Sequence, residues 1–195
     1  MSLILETYEW DNTWIEKTAE KNAKRVLYIG DSISCGTRTE ANKISAGEVV
    51  IDGFGTSKAL DNTCFFPSVS LFAKQEPYRN AVIFNNGLHG WHIDEKKYSQ
   101  LYEEFLDKLI NEFPSTPIAA VLTTFVTNPD YHNDRVLVRN ELASEIARKK
   151  NIPVIDLYSV SHKNKDLLLG DGVHFSCEGY GELAKAVLAE LKCIY

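Results

Sequence analysis

The chain has 195 residues, a length that fits one domain, since a domain typically takes roughly 150 residues. Hydrophobic residues make up 44% and charged residues 25%, the balance of a globular protein with a sizeable core. The net charge of −6 argues against a nucleic-acid partner, which rewards basic patches, and no apolar run reaches the roughly 18–20 residues of a membrane span.

The opening stretch, "MSLILETYEWDNTW", has no basic n-region and no long apolar stretch, so no signal peptide is expected. Cys35, Cys64, Cys177 and Cys193 form no C-x-x-C pair and read as free thiols of a reducing, cytoplasmic compartment. Residues 1–24 read as a lead-in segment that Trp10 and Trp14 pin to a single domain spanning 1–195.

Five apolar runs follow in chain order: "RVLYIG" (25–30), "EVVID" (48–52), "NAVIFN" (80–85), "PIAAVLTTFV" (117–126) and "IPVIDLY" (152–158). They are nearly continuous rather than alternating, the pattern of strands buried on both faces of a parallel sheet. Helical patterns fill the gaps. In "EKKYSQLYEEFLDKLINEF" the apolar residues fall at Tyr98, Leu101, Tyr102, Phe105, Leu109, Ile110 and Phe113, one face of a helix. Asp94 stands ready as its N-cap and Pro114 lies just past its end. "DRVLVRNELASEIARKK" and "GYGELAKAVLAELKCI" are further helices. Alternating strands and helices predict a three-layer α/β/α fold with right-handed crossovers. The expected sheet is flavodoxin-like, with five parallel strands in the order 2-1-3-4-5. Ligands in such sheets sit beyond the carboxyl ends of the strands.

Gly30-Asp31-Ser32 occupies that position after the first strand. If Ser32 opens the following helix, unpaired N–H groups of the first turn face the same crevice and favour an oxyanion. The tripeptide also suits a plain helix cap, in which case the serine does no chemistry. A serine needs a base to become a nucleophile. "GDGVHFSCEGYG" supplies one, with Asp171 and His174 three residues apart before the last helix. Asp171 can hold the imidazole, and His174 can take the Ser32 proton and return it to the leaving group. The G-x-S-x-G elbow of α/β-hydrolases is absent, as are the phosphate loop and dinucleotide fingerprint.

These two blocks together resemble the SGNH hydrolase superfamily, the GDSL-type esterases and lipases. The likeness runs from about Arg25 to the end of the chain. It implies a glycine donor after the second strand, for which "DGFGTS" offers Gly55 first and Gly53 second. It also implies an asparagine block after the third strand. There "FNNGLHGW" is similar to a variant Phe-Asn-x-Gly-Leu-His block, so Asn85, or Asn86, is the expected side-chain donor, with His89 a third candidate. The oxyanion hole would then be made by the N–H groups of Ser32 and Gly55 and by that amide. His89, Trp91 and Thr124 are candidate substrate contacts, with Tyr131 and His132 on the same border. His89 and His92 lack an accompanying carboxylate or cysteine cluster, so no metal is expected, and no cofactor. The resemblance implies a serine esterase acting on a small-molecule or carbohydrate ester. With no long apolar lid segment, a short acyl group such as acetyl is favoured. A lysophospholipase or thioesterase with the same triad, or an inactive glycan- or anion-binding domain, are the alternatives.

Overall fold

In the computed structural model, which describes residues 4–195, four of the apolar runs form the centre of a sheet. In chain order the elements are β1 (Asp11–Trp14), β2 (Lys24–Gly30), α1 (Ser32–Ile44), β3 (Val49–Thr56), α2 (Phe65–Ala73) and β4 (Ala81–Phe84). They continue with α3 (Glu95–Glu112), β5 (Ile118–Val121), α4 (Asn133–Lys149), β6 (Val154–Ile155), α5 (Leu157–Lys163) and α6 (Cys177–Ile194). The sheet order is β1-β3-β2-β4-β5-β6. β2 to β6 are parallel and β1 pairs antiparallel with β3. Taken without β1, this is the expected 2-1-3-4-5 order.

Two apolar layers sandwich the sheet. One joins Leu27, Ile29, Phe54 and Phe84 to Phe65, Phe105 and Ile146 from α2, α3 and α4. The other joins Val26, Tyr28, Ile51 and Ile83 to Ile33, Leu157, Leu183 and Val187 from α1, α5 and α6. The two sets of strand residues fit successive side chains pointing to opposite faces of a strand. Asp94 caps α3, its Oδ1 accepting the Lys97 N–H at 2.8 Å.

Three expectations need correction. The lead-in, whose residues 1–3 lie outside the described residues, is not only a tether: residues 11–14 add the sixth strand. The second parallel strand runs on to Thr56, so Gly53 and Gly55 lie inside it rather than in a turn after it. The last run is a strand only at Val154–Ile155, because Asp156 then caps α5, accepting the Ser159 N–H at 2.9 Å.

The lead-in is fastened by a buried charge. Asp52, fully enclosed, accepts from Arg25 Nη1 at 2.8 and 3.0 Å and from the Glu16 N–H at 2.9 Å. Arg79 Nη2 stands 3.1 Å from its other oxygen. Arg25 in turn donates to the carbonyls of Glu16 and Lys17. Removing one partner of such a cluster leaves uncompensated charge in the interior. Asp52→Ala is expected to lower the unfolding free energy by roughly 3–5 kcal/mol, measured by urea denaturation. A loss below about 1 kcal/mol would mean that the cluster behaves as a solvated surface pair.

Candidate active site

The crevice is built where β2 runs into α1. Gly30 ends the strand, and a Cβ there would lie 2.7 Å from Ser34 Cβ, so only glycine lets the helix start this close. Asp31 is the N-cap: its Oδ1 accepts the Ile33 N–H at 2.9 Å. Ser32 is therefore the first helical residue and its hydroxyl is not spent on capping.

His174 comes from the loop before α6, 142 residues away in sequence. Its Nε2 lies 2.8 Å from Ser32 Oγ and its Nδ1 lies 2.7 Å from Asp171 Oδ2. The other carboxylate oxygen, Oδ1, accepts the backbone N–H groups of Val173 and His174, each at 2.9 Å. Those bonds favour the charged form. The Val173 N–H foremost, with the His174 N–H and imidazole, brings the Asp171 pKa down to about 2 while burial works the other way.

A second loop holds this one in place. Gly172 has φ +70°, and its carbonyl accepts from the Thr127 and Asn128 N–H groups at 2.8 and 3.3 Å. Asn128 Nδ2 donates to the Asp171 carbonyl at 2.9 Å. A Cβ on Gly172 would approach Thr127 Oγ1 to 2.6 Å and Asn128 N to 2.7 Å.

The other sequence candidates separate. Asn85 Nδ2 donates to the Val121 carbonyl at 2.8 Å and to Thr123 Oγ1 at 3.0 Å, which uses both of its hydrogens. Asn86 Nδ2 makes one bond, to the Lys58 carbonyl at 3.0 Å, and so retains an N–H. Gly55 stands in register with Gly30 on one side and Asn12 on the other. A strand residue flanked on both sides points its N–H at a neighbouring strand, so the expectation of a Gly55 donor is not supported. The glycine instead makes room for Cys35, whose Sγ would be 2.3 Å from a Cβ. The same correction covers Gly53, whose bare face is occupied by Arg38.

Thr124 is 2% exposed. It lines a small internal cavity beside Asp31 and Asn85, so it turns inward rather than toward a substrate. Trp91 packs rather than standing free: the guanidinium carbons of Arg139 and Arg135 lie 4.3 and 5.1 Å from its ring centroid, and Tyr131 and His132 meet it edge-on. His89 Nδ1 lies 3.7 Å from Glu6 Oε1, an oxygen that also accepts the Gly90 N–H at 2.8 Å. His92 pairs with Asp61 at 2.9 Å. Tyr131 is half-buried near the crevice. Burial, and then the negative charges of Glu6, Asp31 and Asp171, raise its pKa.

Arg139 escaped the sequence reading. It is fully buried in α4 and donates to the carbonyls of Gly87, His89, Gly90 and Ile93 at 2.9–3.2 Å, which fixes the loop after β4. One signal was present. Arg139 falls on the apolar stripe of its helix with Val136, Ala143 and Ile146, where a cation is out of place unless it has partners.

The GDSL-like Lipase/Acylhydrolase family model matches residues 83–187, more than half of the chain. The chain belongs to that family. Asp171 and His174 lie inside the match, and Ser32 precedes it. Family membership places the protein among hydrolases of ester bonds. No curated protein sequence matches the chain. Solved structures of similar fold include a lipase/acylhydrolase from Enterococcus faecalis, 20% identical, covering 87% of this chain and 96% of its own at a TM-score of 0.71. An acetyl xylan esterase, AlAXEase, is 16% identical over 85% of this chain and 98% of its own, with a TM-score of 0.64. The C-terminal catalytic domain of peptidoglycan O-acetyltransferase A from Streptococcus pneumoniae, carrying a methylsulfonyl adduct, is 18% identical over 88% and 94%, with a TM-score of 0.65. At these identities the likeness is one of fold.

Gly172→Ala puts a side chain where φ is positive and the neighbouring loop is in contact. Expected are a stability loss of about 1–2 kcal/mol and a kcat/KM on an ester substrate lower by on the order of 10². Unchanged kinetics in the folded variant would show that the clamp does not position His174.

Proposed function

We propose that this family member is a serine esterase that removes a short acyl group, acetyl on a carbohydrate hydroxyl, through an acyl-enzyme. The observation that carries this reading is the continuous relay Ser32 Oγ–His174 Nε2 at 2.8 Å and His174 Nδ1–Asp171 Oδ2 at 2.7 Å. It supplies a nucleophile, a base and an orienting carboxylate within hydrogen-bond reach.

Ser32 Oγ attacks the acyl carbon as its proton passes to His174 Nε2. Asp171 keeps the proton of Nδ1 on its own side and offsets the charge of the imidazolium. The oxyanion forms against the N-terminus of α1, where first-turn N–H groups and the helix dipole favour negative charge. Asn86 is the side-chain donor, having an amide N–H to give where Asn85 has none. The alcohol leaves with the proton from His174. Water, deprotonated by the same imidazole, then attacks the Ser32 ester. The carboxylic acid departs and Ser32 regains its proton.

The acetyl and carbohydrate parts of the reading draw support from two relatives by fold, one named as an acetyl xylan esterase and the other as a peptidoglycan O-acetyltransferase domain.

Ser32→Ala is expected to lower kcat on p-nitrophenyl acetate by on the order of 10⁶ with the urea midpoint unchanged, and His174→Ala by a similar factor, because the pair acts as a unit. A Ser32→Ala protein that keeps most of its turnover, or escapes the loss of fluorophosphonate labelling, overturns the mechanism. Activity that rises with acyl length and is absent on acetyl esters favours a lysophospholipase or thioesterase instead.

The acid limb gives a second test. A carboxyl with a depressed pKa stays charged above that value and loses its charge only as pH falls through it, here about 2. Between neutrality and about pH 3, the Asp171 carboxylate therefore takes up no proton and keeps orienting the imidazole. The acid limb of log kcat/KM over that range should therefore be no steeper than unit slope. A slope of two would mean that the carboxylate titrates with the base.

A further inference from the structure

Catalysis at Ser32 uses the first turn of α1. The later turns of that helix border a separate open cavity of about 590 Å³, lined on its other side by the edge strand β1, a size that suits a small ligand.

Two bare positions in β3 shape it. Asn12 and Trp14 stand in register with Gly55 and Gly53, so their side chains share the sheet face that those glycines leave open. A Cβ on Gly53 would come within 2.6 Å of Arg38 Nε. Without one, the Arg38 side chain lies across β3 and reaches Trp14, its guanidinium carbon 5.8 Å from the ring centroid.

Arg38 is 7% exposed, and its Nε is buried with no partner among the described residues. Such a donor carries a desolvation cost until something accepts from it. Glu16 Oε2 does not fill that role. It lies 3.8 Å from Arg38 Nη1 and already accepts from Trp14 Nε1 at 2.8 Å. Lys17 and Lys43 also line the cavity; Lys43 Nζ is paired with Glu40 Oε1 at 2.7 Å, which leaves Lys17 and Arg38 facing the single lining carboxylate, Glu16, in a chain that is acidic as a whole. Trp14 is 54% exposed and offers a flat apolar face, and Asn12 offers an amide. A ring with one apolar face, hydroxyls at its edge and a carboxylate matches all of these groups.

We propose that this cavity binds a carboxylate-bearing sugar unit, with Trp14 against the ring and Arg38 on the carboxylate. Its link to turnover rests on the esterase reading. Thr39, which lines the cavity, follows Ser32 by about two turns of one helix, roughly 10 Å at 1.5 Å per residue. A short run of sugar units spans that distance, so the site would anchor an acidic glycan while another unit presents its ester to Ser32.

The test uses the full chain carrying Ser32→Ala, so that binding is read without turnover. Trigalacturonic acid is titrated in while the backbone amide shifts of Arg38 and Lys43 are followed by NMR, with neutral maltotriose as the control. Saturable shifts are expected. Affinity should be on the order of tenfold weaker when Trp14→Ala or Lys17→Glu is added, the scale of one aromatic or ionic contact, and on the order of tenfold weaker for maltotriose. Both substitutions are at the surface, and circular dichroism checks that they fold. With Ser32 intact, Trp14→Ala should leave kcat/KM on p-nitrophenyl acetate unchanged.

Unmoved amides, equal affinity in Trp14→Ala, or equal affinity for maltotriose overturn the proposal. If trigalacturonic acid binds as expected but the unsubstituted protein hydrolyses no acyl ester, the esterase reading fails and the binding site stands.

Discussion

The candidate site depends on which of two adjacent residues caps α1. Aspartate and serine are both good N-caps, and Gly30-Asp31-Ser32 offers one of each. Asp31 takes the role, with Oδ1 on the Ile33 N–H. Had Ser32 taken it, the hydroxyl would be bound to its own helix. Displaced by one position, Ser32 keeps a position among the first-turn N–H groups while its Oγ meets His174 Nε2. The close strand-to-helix turn at Gly30 is what makes this displacement possible.

The rest of the crevice is held by backbone carbonyls rather than by a dense apolar wall. On one side the Gly172 carbonyl is gripped by the loop after β5. On the other, Arg139 gathers four carbonyls of the loop after β4 while stacking against Trp91 and Tyr98. Both loops leave the carboxyl ends of parallel strands, where irregular backbone has no ladder to satisfy it and must find donors elsewhere. A guanidinium with five donors serves several carbonyls at once, which accounts for an enclosed arginine in a helix that is otherwise ordinary.

What was legible in the sequence follows the range of the forces involved. The parallel strands, the layers and the Asp94-capped helix are carried by runs of apolar residues and local caps, and these are visible in a single chain. The Ser32, Asp171 and His174 relay was legible because each member sits in a short block with its own turn chemistry. β1 was not. Asp11-Asn12-Thr13-Trp14 is exposed along its whole length and has no alternation, so its strand character comes from pairing with β3. The end of "IPVIDLY" was read as strand because Leu157 and Tyr158 prolong the apolar run, whereas Asp156 with Ser159 is a helix start. The choice between Asn85 and Asn86 was not legible for a third reason. Two neighbouring asparagines look alike in sequence, and only the positions of the Val121 carbonyl and Thr123 decide which amide is already committed.

The two ends of the sheet have a bearing on how the molecule behaves in company. Unpaired edges invite another chain to add a strand, and proteins blunt them by making them short or polar. Here one margin is four residues long and starts with an aspartate, and the other, β6, is only two residues long. Neither offers the long, flat, apolar template on which strands stack from molecule to molecule. The lead-in thus shields β3, the longest strand, from edge-to-edge association at high concentration.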